Sequence, residues 1–132
     1  MHRFFRFKNF HILLGVLIGS VWVFHGLYSK ILNGIPRHRQ IVERILGEGV
    51  ADFATLAIGI LEVLLGIWIF CGFFKRTCAT VQTLAIVAMN SLEIYLAPDL
   101  LISALGMVFL NLIFLSMVWY WALFPPQRII MD

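Results

Sequence analysis

Residues 53–73 read FATLAIGILEVLLGIWIFCGF, an apolar run in which Glu62 is the one charged side chain. An α-helix rises 1.5 Å per residue, so a run of this length can cross a hydrocarbon core of about 30 Å. It is too long for a membrane β-strand, which needs about 9–11 residues. The run therefore predicts a membrane-spanning helix with a carboxyl group near its middle.

Three further apolar runs of similar length cover residues 11–31, 77–96 and 100–124. The polar side chains near their middles are His25, Asn90, Glu93 and Asn111. A charged side chain at the centre of a spanning helix costs roughly 2.5–3.5 kcal/mol, so several in one chain need partners that face inward. We therefore expect a polar interior.

The composition agrees with a membrane protein. Hydrophobic residues make up 61% of the chain and charged residues 13%, whereas soluble domains have about 45–50% apolar and 25% charged residues. The spans take up most of the 132 residues, which leaves no room among them for a soluble catalytic domain. The few basic residues sit at the predicted membrane edges, so no nucleic-acid partner is expected and the lipid bilayer is the expected surrounding.

Short connections follow the second and third runs, at Lys75–Arg76 and Pro98–Asp99. Consecutive helices joined so tightly must be antiparallel neighbours. Asp99 is suited to cap the fourth helix, and Pro125–Pro126 is suited to end it. The predicted fold class is therefore all-α, an integral membrane four-helix up-down bundle in a single domain.

The first connection is longer and contains a predicted helix over residues 36–49. Pro36 suits a first helical turn, and a glycine can end the segment. The apolar residues of one face are Ile41, Val42, Ile45 and Leu46. We expect a short amphipathic interfacial helix between helices 1 and 2. It is either a spacer on the outer interface or a lid over the bundle in which Arg37, His38 and Arg39 meet lipid phosphates or an anionic ligand.

Lysine and arginine residues set the expected orientation. One side of the membrane would carry Arg3, Arg6, Lys8, Lys75, Arg76 and Arg128. The other side has Arg37, Arg39 and Arg44, interspersed with acidic residues. The positive-inside rule therefore predicts that both termini are cytoplasmic.

Small residues recur at three and four positions along the first two spans. The stripes are Gly15, Gly19, Trp22, Gly26 and Ser29 on the first, and Thr55, Gly59, Glu62 and Gly66 on the second. Small residues let helix backbones approach closely in a membrane. These stripes are expected to face the bundle interior.

Turning the polar faces inward brings two acids, Glu62 and Glu93, against His25 and Lys30. Such a group is a candidate ligand-binding site or proton relay, because an imidazole titrates near neutral pH and a carboxyl in an apolar medium can hold a proton. Lys30 has an alternative as an interfacial cation that extends to the membrane surface. Asn90 is grouped with Glu93 in this candidate site.

Three other polar or aromatic side chains have two interpretations each. Trp22 either flanks a ligand or fills space between small residues. Gln82 and Asn111 either join the site or simply connect neighbouring helices by hydrogen bonds. Trp119, Tyr120 and Trp121 are expected as anchors at the membrane interface. The two cysteines lack further ligands nearby, so no metal site is predicted.

Several motifs together resemble the DoxX-like family of small bacterial membrane proteins. They are WVFHGLYSK at 22–30, IPRH at 35–38, GILE at 59–62, MNSLE at 89–93 and AP at 97–98. The resemblance implies a location in the bacterial inner membrane. The family takes its name from a subunit of a thiosulfate to quinone oxidoreductase, and relatives are associated with membrane oxidoreductase complexes.

The leading hypothesis is a small-molecule-binding or accessory subunit of quinone-linked membrane redox chemistry. Quinone is then the expected cofactor class, and membrane or soluble oxidoreductase subunits are the expected partners. Trp22 would flank the ring, while His25, Glu62 and Glu93 would bind it or relay protons. Whether the chain catalyses a reaction itself stays open. The alternatives are a small transporter or channel, which almost requires a homo-oligomer, and a structural scaffold without activity.

Overall fold

The computed structural model describes residues 2–124, with side chains from residue 9 onward. The helices are α1 (His2–Val23), a π-helix (Phe24–Ile31), α2 (Pro36–Leu46), α3 (Glu48–Cys71), α4 (Lys75–Leu96), a short 3₁₀ turn (Pro98–Leu100) and α5 (Ala104–Leu123). Four stretches are long and apolar enough to cross a membrane: Asn9–Ile31, Glu48–Cys71, Lys75–Leu96 and Ala104–Leu123. The prediction of an all-α membrane bundle is confirmed. The side chains of Arg3, Arg6 and Lys8, together with Pro125–Pro126 and Arg128, lie outside the described residues.

Helix ends follow local chemistry, with two differences from the predictions. Gly47, at φ 97°, separates α2 from α3, and α3 begins at Glu48 instead of residue 53. The α5 helix begins at Ala104 instead of residue 100, and the Ser103 hydroxyl accepts a hydrogen bond from the Gly106 N–H at 3.0 Å. The expectation that Asp99 caps this helix was wrong, because a 3₁₀ turn intervenes and the Asp99 carboxylate accepts hydrogen bonds from an arginine of α2.

The long helices pack in the cyclic order α1, α3, α4, α5, with α1 and its π-helical continuation making the most extensive contact with α3. Helix α2 lies across one end and contacts the π-helix, α3 and α4. We call this end the cap end; it comprises the π-helix, α2, the start of α3 and the end of α4. The amino-terminal end comprises the start of α1, the end of α3, the start of α4 and the end of α5.

Glycines allow the close contact between helix 1 and α3. A Cβ atom added to Gly26 would lie 2.4 Å from the Gly59 carbonyl oxygen, and one added to Gly66 would lie 2.8 Å from the Gly19 carbonyl oxygen. Real Cβ atoms do not approach backbone oxygen so closely. The structure therefore agrees with the predicted small-residue stripes, which bring two backbones together inside the bundle.

Large apolar side chains fill the half of the bundle nearest the amino-terminal end. The buried residues there include Leu14, Ile18, Leu65, Ile69, Ala79 and Val118. Trp119 and Trp121, which were predicted as anchors at the membrane interface, both pack against other residues of the bundle. Trp121 is 2% exposed and packs against Gly15, while the Trp119 indole N–H donates to the Thr83 hydroxyl at 2.9 Å. An indole N–H inside a bundle needs such a partner.

Candidate functional site

The first span changes from an α-helix to a π-helix over Phe24–Ile31, the stretch that carries His25 and Lys30. The Leu32 N–H donates to the Leu27 carbonyl at 2.9 Å, so this hydrogen bond spans five residues instead of four. Such widened turns are rare and occur frequently at functional sites. They lie here at the level where the sequence predicts a polar site.

Lys30 and Glu62 form an ion pair between the π-helix and α3. The Lys30 Nζ lies 2.8 Å from Glu62 Oε1 and 2.9 Å from Oε2, with a hydrogen bond to Oε2. The lysine side chain is 10% exposed and the glutamate side chain 6%. Gly59 leaves room for this pair, because a Cβ added there would lie 3.1 Å from the Lys30 Cβ. Each charge compensates the other in a place where a single charge would be costly.

Glu93 brings a second acid to the pair from α4. Its carboxyl group interacts electrostatically with Lys30, Arg37 and Glu62. Unlike Glu62, Glu93 makes no side-chain hydrogen bond to any residue that the structure describes. The predicted group of two acids and two bases is therefore brought to one end of the bundle, with only one of its acids directly paired.

His25 and His38 bring two imidazoles to the same place. Their rings are stacked, with centroids 5.8 Å apart and planes inclined by 25°. The Nδ1 atom of His38 is buried without a hydrogen-bond partner among the described residues. Burial, together with the charges of Lys30, His25 and Arg37, lowers the pKa of His38 to about 4. His38 is therefore a neutral imidazole at pH 7, able to donate and accept one hydrogen bond each.

Two buried hydroxyl groups at the cap end are unsatisfied. Ser29 is 1% exposed and Thr55 4% exposed, and neither hydroxyl oxygen has a hydrogen-bond partner among the described residues. Elsewhere in the bundle, Thr80, Thr83 and Ser116 donate to the carbonyl four residues earlier at 2.8–2.9 Å. That is the usual arrangement for a hydroxyl in a spanning helix. The hydroxyls of Ser29 and Thr55 therefore differ from these other hydroxyls of the same chain.

The contact between Gly26 and Gly59 fixes where these hydroxyls lie. The two helices are antiparallel, so one turn beyond Gly26 on the first faces one turn before Gly59 on the second. Ser29 and Thr55 therefore lie on the sides of the two helices that face each other, each about one turn from the Gly26–Gly59 contact. We call the polar group under α2 the cap-end cluster; its members are His25, Ser29, Lys30, Arg37, His38, Thr55, Glu62 and Glu93.

Exposed ion pairs hold α2 over the cap-end cluster. Arg39 Nε lies 2.5 Å from Asp52 Oδ1 at the start of α3. Arg44 makes two hydrogen bonds to the Asp99 carboxylate, at 2.7 and 3.0 Å. These bonds keep the pKa of Asp99 below its usual value. Arg39 and Arg44 thus connect α2 to the starts of α3 and of the 3₁₀ turn, and Arg39 pairs with acidic residues of the chain instead of the predicted external anion.

Trp22 and Gln82 lie deeper in the bundle and bind each other. The Trp22 indole N–H donates to Gln82 Oε1 at 2.8 Å, and the two residues are 4% and 0% exposed. The Trp22 ring also contacts Phe114 edge to face, with centroids 6.3 Å apart. The structure therefore places these two predicted residues in a satisfied core pair, away from the cap-end cluster.

Asn90 and Asn111 join α4 to α5. The Asn111 side-chain N–H donates to Asn90 Oδ1 at 3.0 Å. Both amides line an open cleft of about 390 Å³ between the two helices, together with apolar side chains such as Ile86, Tyr95 and Leu115. The structure does not bring these two asparagines into the cap-end cluster.

The sequence analysis did not identify Ser29 and Thr55 as site residues. Both belong to the small-residue stripes, which explains their burial without indicating a polar function. Their signal is visible only in three dimensions, where no carbonyl or side chain accepts their protons. Within residues 9–124, no three His, Cys, Asp or Glu side chains gather to hold a metal ion. Hydrogen bonds and charge are therefore what the cap-end cluster can offer a ligand.

Comparisons with known proteins identify the family. The sequence model described as the DoxX-like family matches residues 19–119, which is more than half of the chain and includes most of the cap-end cluster. Searches of curated proteins and of solved structures found no match. The matched residues run from the middle of the first span to near the end of the fourth, so parts of all four spans and all of α2 are covered. The chain belongs to the DoxX-like family.

Proposed function

We propose that this DoxX-like membrane protein is a small-molecule-binding subunit of quinone-linked redox chemistry, and that the cap-end cluster binds the quinone headgroup. The observation that carries the proposal is the pair of buried, unsatisfied hydroxyls, Ser29 and Thr55, at the same end of the bundle as the Lys30–Glu62 ion pair. Each unsatisfied buried hydroxyl costs about 1–3 kcal/mol. A ligand with carbonyl oxygens removes that cost by accepting their protons.

The cap-end cluster supplies the donors that a quinone carbonyl needs. The hydroxyls of Ser29 and Thr55 can each donate one hydrogen bond, and the Lys30 ammonium has donors beyond the one that Glu62 accepts. These groups come from two helices, so a carbonyl oxygen between them would be held from both sides. The apolar surroundings suit the ring.

The same cluster can exchange protons with the bound ligand. Reduction of a quinone to a quinol adds a proton to each carbonyl oxygen, while a partner oxidoreductase subunit supplies the electrons. The Glu93 side chain is half-buried and makes no hydrogen bond to a described residue, so it is free to carry a proton to the site. His25, on the π-helix, serves the same purpose from another helix of the bundle.

Helix α2 is proposed to act as the lid of this site. Helix α2 packs against the π-helix, α3 and α4 over the cap-end cluster. A ligand therefore enters only when α2 moves away from these helices. The ion pairs that hold it, Arg39–Asp52 and Arg44–Asp99, are exposed, and exposed ion pairs contribute little to stability. Opening the lid therefore costs little compared with opening the bundle.

The bundle itself argues against a conduit through one chain. Below the cap-end cluster, the centre is filled by Ile18, Trp22, Ile69 and Val118, which are at most 4% exposed. A transporter would need either a large rearrangement of these side chains or a path between several copies. A binding site that opens at one end needs neither.

Location and orientation complete the proposal. The protein is placed in the bacterial inner membrane with both termini in the cytoplasm, so that the cap end faces the periplasm. The outward surfaces of α4 and α5 contact lipid, a second copy or an oxidoreductase subunit. Reporter fusions at the carboxyl terminus test the orientation, since cytoplasmic and periplasmic reporters give opposite signals.

Binding of a short-chain benzoquinone to the protein in neutral lipid nanodiscs tests the function. The key variant is the double substitution Ser29→Ala with Thr55→Val, which removes both hydroxyls and leaves the ion pair intact. We expect the Kd to rise about fivefold for each lost hydrogen bond. We also expect the variant without ligand to be more stable than the wild type, because unsatisfied hydroxyls are gone.

Thr80→Val is the matched control, because its hydroxyl already donates to the Arg76 carbonyl. It should leave quinone affinity unchanged. A wild-type protein without saturable quinone binding would contradict the proposal. So would a double variant that binds quinone as tightly as the wild type, and in that case a structural scaffold is the better account of the polar interior.

A further inference from the structure

The amino-terminal end of the bundle holds a second polar group, which the proposed quinone site does not use. The Lys75 Nζ lies 2.8 Å from His11 Nε2 and 5.2 Å from the centre of the Trp121 ring. His11 is 6% exposed and Trp121 2% exposed. Lys75 of α4 thus contacts one side chain from α1 and one from α5.

This group consists of donors and positive charge. A lysine ammonium has no acceptor, so His11 accepts through Nε2 and carries its own proton on Nδ1. The ammonium then has two further N–H donors. The Trp121 indole N–H makes no hydrogen bond to another described residue, and it too can only donate.

No carboxylate balances Lys75 among the described residues. Every acidic residue between positions 9 and 124 belongs to α2, to the first two-thirds of α3, or to the cap end of α4 and the turn after it; they are Glu43, Glu48, Asp52, Glu62, Glu93 and Asp99. The ion pairs of residues 9–124 all lie in that part of the molecule. Lys75 instead rests on an aromatic ring and a neutral imidazole. A cation in this setting attracts an anion from outside the chain.

The depth of the group indicates which anion this is. Lys75 begins α4, His11 is within one turn of the start of its span, and Trp121 is within one turn of the end of α5. Side chains at the ends of spanning helices lie at the level of the lipid headgroups. Tyr120, 42% exposed beside Trp121, is also typical of this level.

We propose that Lys75, His11 and Trp121 form a binding site for the phosphate of an anionic lipid headgroup. Lys75 supplies the charge and direct hydrogen bonds to the phosphate. His11 and Trp121 position the ammonium between α1 and α5, so that it stays at the bundle surface. The lipid then joins three helices at an end where no ion pair among the described residues does so.

The test compares wild-type protein in nanodiscs of phosphatidylglycerol and of phosphatidylcholine, followed by native mass spectrometry to count retained lipids. The wild type is expected to retain phosphatidylglycerol at least tenfold more strongly than phosphatidylcholine, as a charge-assisted hydrogen bond provides. Equal retention of the two lipids would overturn the proposal without any variant. Inorganic phosphate that displaces the lipid at millimolar concentration would overturn the assignment to a lipid-borne phosphate.

Lys75→Gln and Arg76→Gln form a matched pair, because they remove one charge each from neighbouring positions and only Lys75 touches the group. We expect a tenfold or greater loss of phosphatidylglycerol affinity for Lys75→Gln and at most about a fivefold loss for Arg76→Gln, the general effect of one charge near the surface. Lys75→Arg should restore affinity. Equal losses in the two glutamine variants would mean diffuse attraction and would overturn the site.

Discussion

The two ends of the bundle hold their partly buried lysines in different ways. At the cap end, Lys30 lies 2.8 Å from a carboxylate oxygen of Glu62. At the amino-terminal end, Lys75 lies 2.8 Å from an imidazole nitrogen of His11 and over the ring of Trp121. Among the described residues, Lys30 has a carboxylate partner and Lys75 has none.

The difference follows from where the acids are. The acidic residues between positions 9 and 124 lie toward the cap end, so cations there find partners inside the protein. The positive-inside rule explains an excess of basic residues at one end, and it says nothing about their contacts. A paired cation stabilises a fold, whereas an unpaired one creates affinity for an anion. The two ends are therefore expected to respond differently to the same kind of substitution.

The largest expected effect is at the cap-end ion pair. Glu62→Gln leaves the Lys30 charge buried without a counter-charge, and it should lower the free energy of unfolding by about 3–5 kcal/mol. Replacing both partners, Lys30→Met with Glu62→Leu, should recover most of that loss, because no charge is then left buried. Thermal unfolding in detergent measures both variants.

Glu93→Gln is the matched control for Glu62→Gln, since the chemical change is identical and the end of the bundle is the same. The Glu93 side chain makes no hydrogen bond to a described residue, so its substitution should cost less than about 1 kcal/mol. Equal losses for the two acids would show that Glu93 is a structural partner and would remove it from the proposed proton relay.

Glycine substitutions compare helix contact at the two ends. In Gly26→Ala, the new Cβ would meet the Gly59 carbonyl oxygen at 2.4 Å, and backbone cannot move aside easily. In Gly15→Ala, it would meet the Trp121 indole nitrogen at 3.0 Å, and a side chain can shift. We expect a loss near the upper end of about 1–3 kcal/mol for Gly26→Ala and under about 1 kcal/mol for Gly15→Ala. A larger loss of stability for Gly15→Ala than for Gly26→Ala would contradict the expectation that the cap-end contact is the less adaptable of the two.

His38 gives the cap end a pH dependence. Burial and nearby positive charge lower its pKa to about 4 in the folded protein, against about 6.5 in the unfolded chain. The unfolded chain therefore binds more protons between these values, and stability falls as pH drops through that range. From pH 7.5 to pH 5, His38 should remove about 2 kcal/mol of stability.

The difference between wild type and His38→Gln isolates this contribution, because the other titrating groups are shared. The variant should lose less stability over the same pH range, as followed by thermal unfolding. Parallel pH profiles for the two proteins would show that His38 is not held neutral by the cap end.

Apolar run length and turn residues were enough to predict the bundle. The four spans follow from hydrophobic runs, the position of α2 from Pro36 and its apolar face, and the contact between helix 1 and α3 from glycine spacing. The sequence analysis also predicted that Glu62 and Glu93 would face His25 and Lys30 as a group, because a buried charge needs a partner, but it did not say which acid would pair with Lys30. These conclusions rest on local or nearly local chemistry.

Features that depend on three-dimensional register were not predictable. The residues of the π-helix at Phe24–Ile31 are equally compatible with an α-helix, so their sequence does not indicate the wider turn. The Trp22–Gln82 bond and the unsatisfied hydroxyls of Ser29 and Thr55 depend on which side chains face each other across helices. The contact between His11 and Lys75 joins residues 64 positions apart. Spacing within one helix carries no information about such pairs.

The smallest expected effect is the stability change at the amino-terminal end. In neutral lipid, Lys75→Gln loses the contact with Trp121 and the hydrogen bond to His11, together about 1 kcal/mol. Arg76→Gln changes an exposed neighbouring residue, so it should leave the free energy of unfolding nearly unchanged. In phosphatidylglycerol the gap between the two variants should widen, because the wild type and Arg76→Gln gain stability from the bound lipid and Lys75→Gln does not. A gap that is the same in both lipids would mean that Lys75 is neutralised within the chain after all, and the two ends would then differ only in the identity of the partner.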